Sequence, residues 1–441
     1  MKKRFLSGMI CVALLMTMML TGCAQNTGNT SSNGNSVNTG TSETDNSNNA
    51  SGGEKVFKIG LVTAFSGNSA AQGQDMLDAT MLYLKQHDNK IGDWTIEVIS
   101  EDDENNATTT LTKARKLVEM DGVNIIMGPS GTAGAFALLD YAKESEIPVY
   151  MPAAGGDDIT QRQRNDYVVR TASSSSQPML VLGEYCATEL GYKRAAVIAN
   201  DFQFGYDVAG GFHKAFEDNG GEVVYRVFVP GDVSDFSPYI SQLPLDDIDV
   251  LFWNFSTSQA VRFATQLSEY GVYDQVDVVA GSTGCDETAL PQMGDWIVGM
   301  VSAQNYSAVL DNPNNTAFVE AFEEEYGRAP SMASEQFYTG MLFLAAAIET
   351  AEDPTDPQQL LEAIRTVKVD NAPRGPISVD EYGNAVHNIY IRKVEKVNGE
   401  LQNTVIKTYE NVSQFYNYDP EEWLASPSFS KDYPPLNSGN Q

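Results

Sequence analysis

The sequence predicts an α/β protein built from two doubly wound, parallel-sheet lobes, and two observations support this fold class. Short β-rich segments alternate with longer helical segments from Val56 onward, which favours parallel strands joined by right-handed helical crossovers. The chain has 441 residues, more than one hydrophobic core usually supports. Two lobes of about 150 to 200 residues each are therefore expected.

The first series of alternating elements runs from Val56 to Tyr150. Its predicted strands cover residues 56–62, 94–99, 123–127 and 147–150. Its predicted helices, in which apolar side chains recur near helical spacing, cover residues 73–86, 107–120 and 132–146. Helices of this length between consecutive strands predict a sheet that is covered on both faces.

A second series of the same kind follows a run of serines at residues 173–176. Its predicted strands cover residues 195–199, 222–229, 248–253 and 277–280, and its predicted helices cover residues 178–190, 205–219 and 259–270. Three further helices and two β segments are predicted at residues 313–326, 334–349, 357–367, 388–394 and 401–408. The aromatic and proline-rich tail, residues 411–441, lacks a clear period, and we expect it to pack on a lobe or to cover a sheet edge.

The N-terminal segment, residues 1–23, predicts an export signal. Three basic residues precede an apolar stretch that is shorter than the roughly 20 residues a bilayer span needs. The tetrapeptide Leu20-Thr21-Gly22-Cys23 resembles the lipobox of bacterial lipoproteins, which implies cleavage before Cys23 and lipid attachment to its thiol. The alternative is an ordinary secretory signal with an incidental cysteine. Residues 24–54 are nearly all Asn, Ser, Thr and Gly, which predicts a disordered tether.

The charge and the scarcity of Cys and His exclude several classes of function. A formal net charge of −31 argues against nucleic acid as a partner, because phosphate binding needs clustered Lys and Arg. Cys186 and Cys285 stand apart from any metal-binding motif, so we expect no cofactor and no metal. The three histidines, His87, His213 and His387, lie in polar segments, and we expect them to face solvent.

The residues that follow the predicted strands are candidates for ligand binding, because open parallel sheets bind ligands at the carboxyl ends of their strands. They are small, hydroxylic and rich in Gly, and they lie at residues 66–68, 101–103, 128–132, 153–155, 200–201, 254–257 and 281–283. The segment 128–132 opens a predicted helix, whose free N–H groups suit a carboxylate. An equal alternative is that Ser130 or Thr132 caps this helix.

Several short motifs, in their order and spacing, resemble those of branched-chain amino-acid-binding (Leu/Ile/Val-binding-like) proteins, the substrate-binding lipoproteins of ABC transporters. They lie at residues 58–60, 65–67, 73–76, 101–103, 114–118, 128–129, 167–172, 220–224, 235–237 and 374–378. The resemblance extends from residue 55 to about residue 408. It implies the type I periplasmic-binding-protein fold, in which a three-strand hinge joins two lobes and ligand binds in the cleft between them. The first lobe would hold residues 55–172 and 302–375, and the second lobe residues 173–301 and 376–410.

The resemblance also implies which residues bind the ligand. In such a protein the ligand carboxylate would bind to two loops, which contain Ser130, Gly131, Thr132, Ala153, Ala154 and Gly155. The acidic residue that grips a ligand amine varies in position within the family, and the candidates here are Asp201, Asp286 and Glu335, each of which has a solvated surface role as its alternative. The other predicted contacts are Gln72, Phe204, Ser256, Thr257 and Thr283.

Two positions depart from the family pattern. Gly155 stands where relatives that bind amino acids often have a hydroxyl residue, and an aromatic that covers the ligand is replaced near Gln72. Polar side chains at Gln72, Asn254 and Ser256 indicate a ligand more polar than leucine.

We therefore expect a monomeric, extracytoplasmic solute receptor, anchored by lipid at the outer face of the cell membrane. It would capture an amino acid or a similar small polar solute and deliver it to the permease subunits of an ABC importer. The alternative is a ligand-sensing module of the same fold without a transport role. An enzyme would have to use the carboxylates of residues 101–103 as acid and base, and the sequence has no nucleophile elbow, phosphate loop or metal-ligand set to support this.

Overall fold

The computed structural model describes residues 55–436, apart from the side chains of Asn68, Thr257 and Ser258. The predicted signal peptide, the acylated Cys23 and the tether at residues 24–54 lie outside the described residues, and these three interpretations stay predictions. None of the described helices is both long enough and apolar enough to cross a membrane.

The first sheet has six strands in the order β2-β3-β1-β4-β5-β6. Its strands are β1 (Lys55–Thr63), β2 (Lys90–Ile91), β3 (Trp94–Asp102), β4 (Ile125–Met127), β5 (Val149–Met151) and β6 (Val168–Arg170). All neighbours pair in parallel except β2, which lies antiparallel at one edge. The strand order reverses at β1, whose two neighbours are β3 and β4, so the sheet is doubly wound.

Helices cover both faces of the first sheet. The helices that precede residue 150 are α1 (Ala70–Gln86), α2 (Ala107–Glu119) and α3 (Thr132–Ser145), and three more return from the C-terminal half, α8 (Pro313–Tyr326), α9 (Met332–Thr350) and α10 (Pro357–Thr366). Alternate residues of β1 divide between the two faces. Phe57, Ile59 and Leu61 pack with α1 and α9, whereas Val62 packs with α2 and α3. This alternation follows from the pleat of a strand that is buried on both sides.

The second sheet has eight strands in the order β12-β13-β11-β10-β9-β7-β8, with β14 paired to β13. Its strands are β7 (Arg194–Asn200), β8 (Glu222–Val229), β9 (Val250–Asn254), β10 (Asp277–Ala280), β11 (Val301–Gln304), β12 (Ile377–Val379), β13 (Ala385–Val397) and β14 (Glu400–Val412). The strands β7 to β11 pair in parallel, and β13 lies antiparallel to β11, β12 and β14. Here the strand order reverses at β7, between β8 and β9.

Four helices accompany the second sheet, and a fifth lies in the tail. They are α4 (Gln177–Thr188), α5 (Gln203–Asp218), α6 (Ser237–Ile240), α7 (Thr257–Glu269) and α11 (Pro420–Ala425). The helices α4 and α5 cover the face of β7 that carries Ala195 and Val197, and α7 covers the face that carries Ala196 and Ile198. The predicted fold class, mixed α/β with two parallel-dominated, doubly wound sheets, is confirmed.

The sequence predictions missed several short elements. The strands β2, β6, β11 and β12 contain two to four residues each, too few to show a period. The strand β11 is nevertheless fully buried and pairs with β10 on one side and β13 on the other. Backbone pairing across the sheet, and not a periodic pattern in its own sequence, therefore defines this strand. Strand ends also shifted by a few residues, as at β4, where Val123 and Asn124 precede the paired segment.

The expectation that all three histidines face solvent is wrong for two of them. His213 and His387 are fully buried, whereas His87 is exposed. His213 contacts Arg226 through Nδ1 at 2.9 Å, and His387 contacts the Ser173 hydroxyl through Nε2 at 2.9 Å. Burial, together with nearby arginines, lowers the pKa of His387 well below its ordinary value. Both histidines therefore belong to the hydrogen-bonded interior.

The two described cysteines are free and buried. Cys186 is a residue of α4 and lies in the core that α4 and α5 form with the second sheet, and Cys285 lies in the core on the α7 side of that sheet. Burial raises the pKa of both thiols. Within residues 55–436, no cluster of three or more His, Cys, Asp or Glu side chains has the arrangement of a metal site.

Candidate functional site

The first candidate loop follows β4, at the point where the strand order of the first sheet reverses. Gly128 has a φ of +114°, and a Cβ atom on this residue would lie 2.1 Å from the Val62 carbonyl oxygen of β1. Only glycine fits this close approach. The loop is therefore held against β1, and the Ser130 hydroxyl lies 3.4 Å from the Thr63 hydroxyl at the end of that strand.

The start of α3 supplies backbone N–H groups to this loop. Gly131 occupies the N-cap position, so neither Ser130 nor Thr132 caps the helix, and the capping alternative raised from sequence is wrong. The side chains of Ser130 and Thr132 are half-buried and remain at the loop surface. The first turn of a helix in this arrangement attracts an anion, because its N–H groups point outward and the helix dipole is positive there.

The second candidate loop follows β5, the next strand in the sheet, and touches the first loop. A Cβ atom on Gly156 would lie 2.6 Å from Cγ2 of Thr132. The buried Arg170 guanidinium donates from Nη1 to the carbonyl oxygens of Ala154 at 3.3 Å and Gly156 at 2.5 Å. Thr132 of the first loop therefore lies against Gly156, directly after residues 153–155, and Arg170 orients the backbone of this second loop.

Ser175 is a candidate that the sequence interpretation missed. Its N–H donates to the Gly155 carbonyl oxygen at 2.7 Å, and its hydroxyl oxygen would lie 2.6 Å from a Cβ atom on Gly155. The hydroxyl is buried and has no hydrogen-bond partner among the described residues. Ser175 therefore places a hydroxyl where the side chain of residue 155 would begin. The serine run at residues 173–176 was the only signal in the sequence.

On the second sheet, the loops after β9 and β10 meet at the carboxyl ends of these strands. The Thr283 hydroxyl lies 2.8 Å from the Phe255 carbonyl oxygen, to which it donates, and 3.2 Å from Oδ1 of Asn254. The N–H of Ser256 donates to Oδ1 of Asn200, at the end of β7, at 3.1 Å. Ser256 is exposed. The side chain of Thr257 lies outside the described residues, and its predicted role stays a prediction.

Asp201 lies just before α5, and Phe204 lies in the first turn of this helix. Asp201 accepts a hydrogen bond from the Tyr206 hydroxyl at 2.6 Å and pairs with Lys431 of the tail at 3.1 Å. The Tyr206 hydrogen bond, reinforced by Lys431, lowers the pKa of Asp201. Phe204 is half-buried against the α4 and α5 core. Gln72, on the first sheet, lies half-buried in the first turn of α1.

The other two acidic candidates have different surroundings. Glu335 is fully buried and forms a two-point ion pair with Arg374, at 2.9 Å and 2.6 Å. Asp286 accepts hydrogen bonds from the Thr288 backbone and hydroxyl at 3.1 Å and 2.8 Å, and from the N–H of Met332 at 3.4 Å. Among the described residues, the hydrogen-bond donors to Asp286 are all neutral, whereas Asp201 and Glu335 each have a cationic partner.

The acidic triplet at residues 101–103 serves the structure of its own loop. Glu101 bonds to both Lys113 and Lys116 of α2, and the hydrogen bond from Lys113 is the main reason that the pKa of Glu101 is lowered. Asp102 accepts from the N–H of Phe65 at 2.9 Å, and Asp103 accepts from the Thr110 hydroxyl at 3.0 Å. All three carboxylates are therefore committed to holding β3, α2 and the loop after β1 together.

Two doubly wound sheets with small, hydroxylic loops at their strand reversals define the class of small-molecule-binding α/β proteins. The chain belongs to the family described as periplasmic binding protein, whose sequence model matches residues 56–400. The motif resemblance to this family is thereby confirmed.

Individual relatives agree over most of the chain. Leu/Ile/Val-binding protein homolog 6 of Brucella suis is 29% identical over 363 residues, which cover 80% of this chain and 92% of that protein. A solute-binding protein of an ABC transporter from Rhodopseudomonas palustris, solved in complex with 3,4-dihydroxybenzoic acid, is 32% identical with a TM-score of 0.78 and covers 81% of this chain and 98% of its own. An ABC transporter substrate-binding protein from Sphaerobacter thermophilus is 28% identical with a TM-score of 0.78, over 82% of this chain and 99% of its own.

Proposed function

We propose that the protein is an extracytoplasmic solute-binding lipoprotein of an ABC importer that captures a small carboxylate, either an amino acid or an aromatic acid, between two lobes. The observation that carries this proposal is the close approach of Thr132, at the start of α3, to Gly156, which directly follows residues 153–155. These loops offer hydroxyl and backbone N–H groups at a strand reversal, which is the usual location of ligand in open parallel sheets.

The ligand carboxylate would bind at the start of α3. The backbone N–H groups near Thr132 and the hydroxyls of Ser130 and Thr132 are donors that suit both carboxylate oxygens. Ser175 would supply the hydroxyl that residue 155 lacks, because its own hydroxyl is buried beside Gly155 and without a partner among the described residues. We therefore add Ser175 to the proposed ligand contacts Ala153, Ala154 and Gly155.

The acidic side chains discriminate between the two ligand classes. Asp201 and Glu335 are each neutralised by a basic side chain, Lys431 and Arg374 respectively, and would bind an amine only at the cost of that pair. Asp286 is the remaining carboxylate, so an amino-acid ligand would place its amine there. An aromatic acid, the type of ligand in the Rhodopseudomonas palustris relative, needs no such partner.

The two lobes of the proposal follow the sheets except at β11, which pairs within the second sheet and crosses the proposed lobe boundary at residue 302. The first lobe holds residues 55–172 and 302–375, since α9 and α10 pack with α1 and β1 in one core. The second lobe holds residues 173–301 and 376–410. The chain passes between the lobes three times, near residues 171–176, 302–307 and 375–385, and we propose that these segments form the hinge. Gln72, Phe204, Ser256, Thr257 and Thr283 remain proposed contacts on the two sides of the cleft.

Anchoring and partners belong to the same proposal. Lipid on Cys23 and the tether at residues 24–54 would hold a monomeric receptor at the outer face of the membrane, where it delivers its ligand unchanged to permease subunits. Family membership supports the transport role and the absence of chemistry, since this family consists of binding proteins.

A thermal-shift screen tests the proposal directly. Amino acids, benzoate derivatives, sugars and nucleosides are added to the purified chain, because ligand at about 100 times its dissociation constant stabilises the folded state by about 2.7 kcal/mol. We expect one class of carboxylate to raise the melting temperature. A flat screen over all classes would contradict the transport receptor and favour the sensing module.

Two variants then locate the ligand. Thr132→Phe fills the space beside α3 and should weaken binding more than about tenfold, or 1.4 kcal/mol, whereas the matched Thr112→Phe on the outer face of α2 should bind like the parent chain. Asp286→Asn should abolish binding of an amino acid and leave binding of an aromatic acid intact. If calorimetry gave equal affinities for the Thr132 and Thr112 variants, the ligand would bind elsewhere on the protein.

A further inference from the structure

Residues 413–436 continue beyond β14 and form a segment that we name the strap. The strap includes α11 and lies beyond residue 400, where the match to the family model ends. It carries seven aromatic or apolar side chains that cluster with α4 and α5, and backbone carbonyl groups that bind arginines from two different parts of the chain. These contacts join elements of both proposed lobes.

The strap packs on the second lobe through an apolar cluster. Phe415, Trp423 and Phe429 are buried together with Leu180 of α4 and Ala215 of α5. The fit is close, because a Cβ atom added to Gly210 of α5 would lie 2.4 Å from the Phe429 ring.

The end of the strap is attached to the second lobe by polar contacts. Arg226 of β8 donates to the carbonyl oxygens of Pro434 at 2.7 Å and Lys431 at 2.9 Å. The Lys431 ammonium also pairs with Asp201 at 3.1 Å. Hydrogen bonds from a guanidinium are charge-assisted and stronger than those between neutral groups, so these contacts fix the end of the strap to the second lobe.

The middle of the strap is attached to the first lobe. Arg162, between β5 and β6, donates from Nη2 to the carbonyl oxygens of Trp423 and Ser426, both at 2.7 Å. The Trp423 indole donates to the Gln161 side-chain oxygen at 2.9 Å, and the Ser428 hydroxyl donates to Asp158.

The turn that carries these partners belongs to the first lobe. Ile159, within the same turn, is fully buried in the core formed by β1, α2 and α3. The Arg162 side chain is itself fixed by an ion pair with Asp158 at 2.7 Å. The Thr160 hydroxyl of the same turn lies 3.0 Å from the Gln414 side-chain oxygen at the start of the strap and 3.3 Å from Oδ1 of Asn384, so the first-lobe contacts of the strap begin at the proposed hinge.

We propose that the strap clamps the two lobes together and limits the opening of the cleft. This inference rests on the hinge motion in the proposed function. Opening would separate Arg162 and Gln161 of the first lobe from the strap, because the strap stays attached to α4, α5 and β8 of the second lobe. The strap thus adds hydrogen bonds that exist only while the lobes stay close, and it shifts the equilibrium of the empty receptor toward the closed arrangement.

Spin-label distances measure this effect without any ligand. Labels are placed on the full chain at Met120→Cys in the first lobe and Val298→Cys in the second lobe, whose side chains are 78% and 47% exposed. Cys11 and Cys23 are changed to Ser in every variant, and the buried Cys186 and Cys285 are protected from labelling. The test variant is Arg162→Gln with Trp423→Phe, which removes the guanidinium and indole hydrogen bonds between the first lobe and the strap and keeps the aromatic cluster.

The matched control is Tyr418→Phe, which removes a hydrogen bond of 2.8 Å between the strap and Asp218 of α5, entirely within the second lobe. We expect the distance distribution to broaden toward longer distances in the test variant and to match the parent in the control. Identical distributions in all three proteins would overturn the clamp. Should the test variant fail to fold, Ser428→Ala, which removes a single hydroxyl from the first-lobe contacts, provides the same comparison. A broadened distribution beside a flat ligand screen would sustain the clamp and reject the transport receptor.

Discussion

The ion pair between Glu335 and Arg374 connects three separate parts of the chain. Both side chains are fully buried, and the guanidinium also donates from Nη1 to the Thr171 carbonyl oxygen at 3.3 Å. Glu335 lies on α9, Thr171 follows β6, and Arg374 precedes β12. Two buried charges cost solvation energy, which their mutual geometry and hydrogen bonds offset. The pair therefore fixes the relative positions of these segments at the proposed hinge.

Removing one partner should be far more damaging than removing both. Glu335→Leu leaves the Arg374 guanidinium buried without its counter-charge, and we expect the free energy of unfolding to fall by about 3–5 kcal/mol. The double variant Glu335→Leu with Arg374→Met should recover much of this loss. Urea denaturation measures both. As a control, Lys85→Met breaks a pair with Glu325 whose lysine is 65% exposed, and it should cost about 1 kcal/mol or less. Equal losses in the single and double variants would contradict the explanation.

At the scale of elements, glycines set how closely α5 approaches its neighbours. A Cβ atom on Gly211 would lie 2.8 Å from Ser176, and one on Gly210 would lie 2.4 Å from Phe429. Two consecutive glycines inside a helix lower its intrinsic stability by about 1 kcal/mol each relative to alanine. The helix tolerates this because the contacts with α4 and the strap bury the flanking residues Val208 and Phe212.

Gly210→Ala should therefore destabilise the protein, although alanine favours a helix, because the Phe429 ring must move out of its site. Phe429→Leu in the same chain makes room for the new methyl group. We expect a double-mutant cycle, measured by thermal unfolding, to give a favourable coupling of about 0.5–3 kcal/mol between these two positions. Additive effects would show that Gly210 and Phe429 act independently, contrary to the packing described above.

For the whole molecule, two buried carboxylates meet between the proposed lobes. The N–H of Asp157, in the turn after β5, donates to Oδ2 of Asp207 on α5 at 3.1 Å. Arg170 of β6, Asp158, and the donors Ser176 and Gln203 also face this pair. Burial raises the pKa of Asp157 to about 6, and burial together with the charge of Asp157 raises the pKa of Asp207 well above its ordinary value.

These raised pKa values predict how stability changes with pH. The folded chain holds protons on these carboxyls that the unfolded chain releases near pH 4, so their contribution is complete at low pH and is lost as pH rises through about 6. Asp207→Asn should reduce the fall in the urea midpoint between pH 5 and pH 8, and Asp311→Asn, at an exposed position, should leave it unchanged. A pH profile for Asp207→Asn that runs parallel to the parent profile would exclude the pair as the cause.

Much of the architecture follows from local patterns. The alternation of strands and helices, the two successive series and the hydroxylic loops after the strands were all predictable, because a strand of five or more residues and a helix of ten or more show their period directly. The helix α8 and the strands β8 and β10 begin and end at the predicted residues. The strands β6, β11 and β12 were missed, because segments this short show little period of their own and depend on pairing with distant strands. The four-residue strand β10 was predicted because it stands in the regular alternation of strands and helices.

The candidate site was also only partly predictable from the sequence. The loops at residues 130–132 and 153–155 were predicted from their place after β4 and β5, because parallel strands bring their carboxyl ends to one edge. Only the tertiary structure shows that Lys431 forms an ion pair with Asp201, that Arg374 forms an ion pair with Glu335, and that Ser175 lies beside Gly155. Each of these pairs joins residues that lie between 20 and 230 positions apart. Hydrophobic periodicity reports which face of an element is buried, whereas the partner of a buried charge depends on how the whole chain folds back on itself.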